Sequence, residues 1–433
     1  MQNVRNMIDF IYNSASPFHA IEQVRNNLDA AGMTRLYEHD VWNLEAGKSY
    51  YVCRNTSSVV AFTVPEKVES FNIVASHCDS PTFKIKENPE MKSGAYITLN
   101  TERYGGMIMS TWMDRPLSVA GRVVVRQGNE YIQKLVRIDR DLLIIPNLAI
   151  HMDRTVNDGK KYNPQVDMIP LYGMEGDEVS FMEMIAKECG VDAKDIIGHD
   201  LFLYNRVKGT ILGANNEFVA SGRLDDLQCA FTSMTGFIQT ENPKSTPVLV
   251  IFDNEEVGSG TKQGAVSTLL YDTLNRIVEA TSGDNNTYRT ALANSFMISA
   301  DNAHAVHPNQ PAIADPTNRP MLNHGVVIKY NAQQKYTTDA VAAAIFKGLL
   351  DDLDIPYQTF TNRSDILGGS TLGNLSNAQV ALNTVDVGLP QLAMHSAYET
   401  AGVKDTEEFI RVCKAFFEMK LTKTSDDNYV VER

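Results

Sequence analysis

From about residue 206 onward, apolar runs typical of buried strands alternate with stretches typical of helices. The runs TPVLVIF, SFMISA and GVVIKYN are separated by segments such as DAVAAAIFKGLLDDL, whose composition favours a helix. Alternation of this kind predicts a largely parallel sheet with helices on both faces. We therefore expect an α/β fold with a mixed, mostly parallel central sheet flanked by helices.

The remainder of the chain suggests two domains. Two amphipathic helices broken at SASP begin the chain, and the apolar run FNIVASH reads as a strand that leaves the core. Residues 91–205 are instead rich in β-type patterns with Gly and Asn breaks. We predict a discontinuous α/β domain of residues 1–90 and 206–433, interrupted by a β-rich domain of residues 91–205. The polar tail KTSDDNYVVER is expected to be frayed.

Composition excludes several classes of function. The net charge of −14 argues against a nucleic-acid surface, and no apolar run approaches the length of a membrane span. The five scattered cysteines form no C-x-x-C pair, and the first residues lack the long apolar region of a signal peptide. We expect a cytoplasmic protein with neither nucleic acid nor membrane as a partner.

Histidine, aspartate and glutamate residues, which commonly bind metals, lie at the ends of the predicted strands and at the start of one helix. Ligands bind outside the carboxyl ends of strands in open α/β sheets, so these side chains are expected to meet. Imidazole and carboxylate are ligands that zinc accepts without thiolate. The residues concerned are His77, Asp79, Asp225, Asp226, Asp253, Glu255, Glu256, Asp301 and His395.

Spacing adds to this hypothesis. His77 and Asp79 lie on one face of an extended strand, where Asp79 can orient a ligand histidine. Glu255 and Glu256 point to opposite sides if extended, so one can bind metal while the other serves as a general base. Taken singly, each acid is better explained as a solvated surface residue, and a hydrogen-bonded structural role explains His77 at least as well as metal binding. His304 and His307 are spaced like a metal pair, but their loop position favours a structural or exposed role.

Together these segments resemble the aspartyl aminopeptidase family, cytosolic dinuclear-zinc metallopeptidases. The resemblance runs nearly end to end, with many motifs in one order. They are SPFHA, ASHCDSPTFKIK, IPNLAIHMDR, RLDDLQCAF, FDNEEVGSGTKQGA, SADNAHAVHPN, VVIKYNAQQKYTT, GGSTLG and AMHSAYETAG.

The resemblance implies a role for each candidate residue. His77 and Asp301 would hold one metal, Glu256 and His395 the other, and Asp225 would bridge them. Glu255 would be the general base on water activated by two metals, and Asp79 would orient His77. Two Zn²⁺ against three carboxylates and one hydroxide give a neutral site, which can be buried at tolerable cost.

The same resemblance extends to substrate and assembly. Lys329 and Tyr336 would reach the substrate, with Lys329 pairing to an acidic N-terminal side chain of a peptide that has a free N-terminus. His151 would reach into a neighbouring subunit's site. That implies a homo-oligomer, a tetrahedral dodecamer built from dimers, with residues 91–205 as the dimerisation domain.

One departure and three alternatives stay open. The family usually has Arg-Leu-Asp-Asn where this chain has Asp225 followed by Asp226, so Asp226 could perturb the metals or face away. Related zinc peptidases have a cis bond after the bridging aspartate, and we predict a cis Asp225–Asp226 bond. The alternatives are a dinuclear-zinc deacylase or carboxypeptidase, with Lys329 or Arg363 as the carboxylate clamp, a silent scaffold, and Mn²⁺ or Co²⁺ as the native metal.

Overall fold

A nine-stranded mixed sheet forms the centre of the protein, seen in a computed structural model that describes residues 1–176 and 180–433. Its strand order is β1-β2-β3-β13-β4-β14-β18-β16-β17. The four central strands, β13, β4, β14 and β18, are mutually parallel, as are β1–β2 and β16–β17, and the remaining pairs are antiparallel. The strands are β1 (Thr34–Leu36), β2 (Ser49–Arg54), β3 (Ser58–Thr63), β4 (Phe71–His77), β13 (Thr246–Phe252), β14 (Phe296–Ala300), β16 (Val326–Lys329), β17 (Tyr357–Phe360) and β18 (Asn383–Gly388).

Helices cover both faces of this sheet, which confirms the predicted fold class. In β13, Leu249 and Ile251 face one apolar core while Val248 and Val250 face a second core on the other side. That alternation is the period-two consequence of a strand buried on both faces. The helices are α1 (Gln2–Asn13), α2 (Pro17–Ala30), α4 (Leu224–Ile238), α5 (Leu269–Ala280), α6 (Asn285–Ala293), α7 (Ala340–Asp352), α8 (Leu372–Ser376) and α9 (Val403–Glu418).

The predicted break between the first two helices is confirmed. Helix α2 begins with Pro17 at its first position, where a missing N–H costs nothing, and the Ser16 side chain accepts a hydrogen bond from the backbone N–H of His19.

A second, six-stranded sheet has the order β8-β7-β10-β5-β6-β9 and its own apolar core, to which helix α3 (Phe181–Cys189) contributes. It begins with Thr82, upstream of the predicted boundary at residue 91, and its last long strand ends at Asn205. The division of the chain into two domains stays a prediction. The strands are β5 (Thr82–Ser93), β6 (Tyr96–Tyr104), β7 (Leu117–Gln127), β8 (Glu130–Arg137), β9 (Leu171–Met174) and β10 (Ile196–Asn205).

Two smaller sheets complete the fold. A five-stranded sheet consists of β11 (Thr210–Leu212), β12 (Phe218–Ser221), β20 (Glu399–Gly402), β19 (Pro390–Leu392) and β15 (Ala303–His304). The C-terminal segment forms a hairpin of β21 (Lys420–Ser425) and β22 (Asn428–Glu432). The expectation of a frayed tail was therefore wrong, because cross-strand backbone hydrogen bonds and the burial of Leu421 hold it in place.

The central parallel strands bring the predicted site together. Strands β13, β4 and β14 are adjacent, and they end next to Asp253, at His77 and next to Asp301. Because the carboxyl ends of parallel strands meet at one edge, their terminal side chains converge. Within the described ranges, no helix is both long and apolar enough to cross a membrane.

Candidate metal centre

Two groups of side chains at this edge have the arrangement of a paired metal site. His77, Asp225 and Asp301 form one group, and Asp225, Glu256 and His395 form the other. The candidate ligand atoms of each group lie within 4.8 Å of one another. Asp225 belongs to both groups, so the geometry joins them through a single carboxylate.

Asp225 lies between two imidazoles. Its Oδ1 is 3.5 Å from His77 Nε2, and its Oδ2 is 3.5 Å from His395 Nε2. His395 Nε2 is also 3.4 Å from Glu256 Oε2. Burial opposes ionisation of Asp225, but the adjacent imidazoles of His395 and His77 hold the pKa of its carboxyl below its ordinary value.

The other acids of the cluster have insufficient positive charge near them. Burial raises the pKa of Glu256 and Asp301 above their ordinary values and that of Glu255 to about 8. The buried oxygens Asp225 Oδ1 and Glu256 Oε1 have no hydrogen-bond partner. Unpaired buried carboxylate oxygens are costly, and a set of two histidines and three carboxylates suits a divalent cation such as zinc. The residues therefore fit a metal centre.

Asp79 holds three residues of this cluster in place through hydrogen bonds. Its backbone oxygen is 3.1 Å from His77 Nδ1, and its carboxylate accepts hydrogen bonds from the backbone N–H groups of Glu255 and Glu256. Tyr104, at the end of β6 in the six-stranded sheet, donates its hydroxyl to the same carboxylate at 2.8 Å. Asp79 thus fixes one histidine and the two glutamates together.

Asp226, the departure from the usual motif, faces inward. The Asp225–Asp226 peptide bond is cis, which confirms that prediction. The Asp226 side chain is fully buried, and its Oδ2 accepts a hydrogen bond from the backbone N–H of His77 at 3.1 Å. Burial raises the pKa of the Asp226 carboxyl well above its ordinary value. It lies beneath His77 and does not belong to either ligand group in the described residues.

A cavity of about 370 Å³ opens above the cluster and includes Lys329 and Tyr336. Lys329 is only 3% exposed, so it is a buried cation and not a solvated strand residue. Its Nζ is 3.6 Å from Asp301 Oδ1 and lies over the ring of Tyr336. Burial alone would lower the pKa of Lys329, but nearby acids, Asp301 foremost, raise it. Lys329 is therefore charged, and it is the one lysine or arginine lining this cavity in the described chain.

His151 lies elsewhere, on an exposed turn in the segment that follows β8, and does not line this cavity in the described part of the chain. His304, for which a structural or exposed role was expected, is exposed, lines the cavity and packs edge-on against Phe360. Two residues at the site were not predicted. Tyr104 and Glu399 carry no local signal, since their partners are distant in sequence.

Comparison with known proteins decides the family. A family model described as aminopeptidase I zinc metalloprotease (M18) matches residues 10–417. The chain belongs to the M18 family of zinc aminopeptidases. It is therefore a hydrolase of the exopeptidase class, which acts on peptides.

Relatives and solved structures agree with this. A probable M18 family aminopeptidase 2 of Clostridium novyi (strain NT) is 48% identical over 95% of this chain and 98% of its own length. A probable aspartyl aminopeptidase of Ricinus communis is 35% identical over 95% of this chain and 94% of its own.

Among solved structures, one chain of the Ape4 and Nbr1 complex superimposes on this protein with a TM-score of 0.93 at 35% identity. The match covers 96% of this chain and 85% of that chain. The mApe1 dodecamer of S. cerevisiae superimposes with a TM-score of 0.84 at 26% identity, covering 95% of each chain. This M18 chain thus shares its fold along nearly its whole length with solved aminopeptidases.

Proposed function

We propose that this M18 aminopeptidase uses two zinc ions to release an N-terminal Asp or Glu from peptides with a free N-terminus. The observation that carries the proposal is the pair of ligand groups sharing Asp225, with Lys329 buried in the cavity above them. Two groups sharing one carboxylate suit two ions rather than one.

The proposed roles follow the geometry. His77 and Asp301 hold one ion, Glu256 and His395 hold the other, and Asp225 is common to both. Glu255 is the general base, and Asp79 orients His77 and the backbone that carries both glutamates. Mn²⁺ and Co²⁺ suit the same mixed ligand set, so metal content has to be measured.

Two bound ions would supply Lewis acidity, which lowers the pKa of the attacking water and polarises the scissile carbonyl. Glu255 lines the cavity and accepts the proton of that water, then returns it to the leaving amine. Asp79 holds the backbone N–H of Glu255 at 3.0 Å, which keeps this base in place during both transfers.

Lys329 is the proposed determinant of the acidic preference. Its ammonium lies in the cavity beside Tyr336, where a carboxylate on the N-terminal side chain can reach it. The contact with Asp301 leaves donors free, since an ammonium has three. The name of the Ricinus relative, an aspartyl aminopeptidase, supports this preference.

The proposal includes assembly into a tetrahedral dodecamer in which His151 reaches a neighbouring subunit's site. The name of the S. cerevisiae structure, a dodecamer, supports this. So does the surface around His151, where Leu148, Ile150 and Met152 are 49%, 48% and 77% exposed. Exposed apolar side chains in a cluster mark surfaces that another chain covers.

The test compares chromogenic substrates that carry N-terminal Asp, Glu, Leu or Lys, for wild type and Lys329→Met. We expect zinc-dependent, chelator-sensitive release that favours Asp and Glu, with the preference reduced about 10- to 100-fold in Lys329→Met, as expected for loss of one charged contact. Release that favours Leu or Lys in the wild type would contradict the acidic pocket while leaving the peptidase intact.

Two controls complete the experiment. N-acetylated Asp and Glu substrates should not be cleaved, and their cleavage would favour the deacylase alternative. Metal analysis should give two zinc ions per chain, and one ion per chain would contradict the paired site.

A further inference from the structure

Glu399, the first residue of β20, is a buried carboxylate that the proposed chemistry does not use. Only 2% of the residue is exposed. Its Oε2 accepts a hydrogen bond from the backbone N–H of Asp225 at 3.1 Å, and its Oε1 accepts one from the backbone N–H of His395 at 2.7 Å. One side chain thus holds the backbone of two candidate metal ligands that lie 170 residues apart in the chain.

The position of Glu399 indicates that it is not itself a metal ligand. Glu399 belongs to neither ligand group and does not line the catalytic cavity in the described residues. It lines instead a small interior cavity of about 30 Å³, together with the half-buried Arg223. The antiparallel pairing of β12 with β20 fixes the position of Glu399, which lies opposite Ser221.

The arrangement repeats what Asp79 does on the other side of the cluster. Asp79 accepts from the backbone N–H groups of Glu255 and Glu256, and Glu399 accepts from those of Asp225 and His395. His395 needs such support, since its φ of 67° lies in the left-handed region that non-glycine residues rarely adopt.

We propose that Glu399 is a positioning residue that sets the distance between Asp225 and His395 and thereby the zinc affinity of the group that includes Glu256. It acts through the backbone, so its loss changes metal binding rather than proton transfer. Residues that orient ligands in this way typically contribute 10- to 100-fold to metal affinity.

The two carboxylate oxygens make the substitution informative. Both oxygens accept, whereas a glutamine at this position has one acceptor and one NH₂ donor. Glu399→Gln therefore keeps the size of the side chain but sets a donor against the N–H of either Asp225 or His395. One of the two contacts is lost while the surrounding packing is unchanged.

Asp405 provides a matched control. It is also buried, and its carboxylate accepts from two backbone N–H groups, those of Asn323 at 2.7 Å and Gly325 at 3.0 Å. None of these three residues lines the catalytic cavity in the described chain. Asp405→Asn thus makes the same chemical change away from the metal ligands.

The experiment measures zinc affinity by chelator competition, and kcat with and without excess zinc, for wild type and both variants. We expect Glu399→Gln to bind the weaker of its two zinc ions 10- to 100-fold less tightly and to recover most of its kcat in excess zinc. Asp405→Asn should match the wild type in both measurements. Glu399→Asp, which keeps the charge but has a shorter reach, provides a second measurement and should also weaken zinc binding.

The inference rests on the proposed metal site, and the two can fail separately. A wild type that binds fewer than two zinc ions would overturn the paired site itself. A wild type with two ions, together with unchanged zinc affinity in both Glu399 variants, would overturn the role of Glu399 alone. Equal weakening in Asp405→Asn would also overturn it, because the effect would then be one of general stability.

Discussion

Two groups of charged side chains in this protein differ in their charge balance. In the six-stranded sheet, Asp200 accepts hydrogen bonds from Lys84 at 2.9 Å and Arg122 at 3.0 Å. Burial opposes ionisation of Asp200, but these two cations lower the pKa of its carboxyl below its ordinary value. Each charge in this group, here called the Asp200 cluster, has a partner of opposite sign.

The cluster at the strand ends is the opposite case. Burial raises the pKa of Glu255, Glu256 and Asp301, and Lys329 is the one lysine or arginine beside them in the described cavity lining. The difference teaches how to recognise a functional site by charge alone. A carboxylate balanced by cations stabilises the fold, whereas an excess of buried carboxylates is tolerable only where cations bind.

The strongest test of this contrast is Glu255→Gln. If the excess acid serves catalysis, this variant should lose about 10²- to 10⁴-fold in kcat, since a general base contributes on that order. Its stability without zinc should not fall, because one source of repulsion is removed. Steady-state kinetics on an Asp substrate, zinc content and thermal unfolding give the three readouts.

Retention of kcat within about tenfold would assign the base to another residue. A loss of bound zinc in Glu255→Gln would instead place Glu255 among the ligands.

Asp200→Asn tests the balanced side of the contrast. Removal of this charge leaves Lys84 and Arg122 without their anionic partner, and we expect a loss of about 1 to 2 kcal/mol in the free energy of unfolding. The side chain of Asp200 is 32% exposed, so solvent screening keeps the effect moderate. Urea unfolding measures the loss, and kcat/KM should be unchanged.

Glu175→Gln is the matched control for Asp200→Asn. Glu175 pairs with Lys92 on the exposed surface, and its loss should leave the free energy of unfolding nearly unchanged. Equal effects of the two substitutions would remove the distinction between the Asp200 cluster and an ordinary surface pair.

The sequence could predict the candidate ligands at the strand ends because their positions follow from local patterns. His77 and Asp301 each end an apolar run, and parallel strands bring such ends to one edge. The sharing of Asp225, its cis bond and the buried state of Lys329 agree with what the family resemblance implied.

Residues whose roles depend on tertiary contacts could not be predicted. Glu399 meets Asp225 across 174 residues, and Tyr104 reaches Asp79 from a different sheet. The five-stranded sheet was also missed, because its strands of two to four residues are too short to show a period. Such contacts are set by packing, which no local window contains.

His19 offers a third case, a buried side chain beside a serine hydroxyl, and its expected effect is confined to the pH dependence of stability. Its Nδ1 lies 2.8 Å from Ser16 Oγ, and burial, with Arg137 and Arg223 nearby, lowers its pKa from 6.5 to about 4. Between these values the unfolded chain binds more protons than the folded chain, so stability falls as the pH is lowered through this window. His19 should contribute a loss of about 1 kcal/mol between pH 7 and pH 5.5.

Urea unfolding of wild type and His19→Gln across this range isolates the contribution. Glutamine stays neutral, so the variant should show a shallower decline in stability toward acid, whatever its stability at pH 7. Parallel curves would mean that His19 titrates alike in the folded and unfolded chain, and that burial beside Arg137 and Arg223 does not keep it neutral. The metal cluster contributes the same pH dependence to both proteins, and it therefore cancels from the difference.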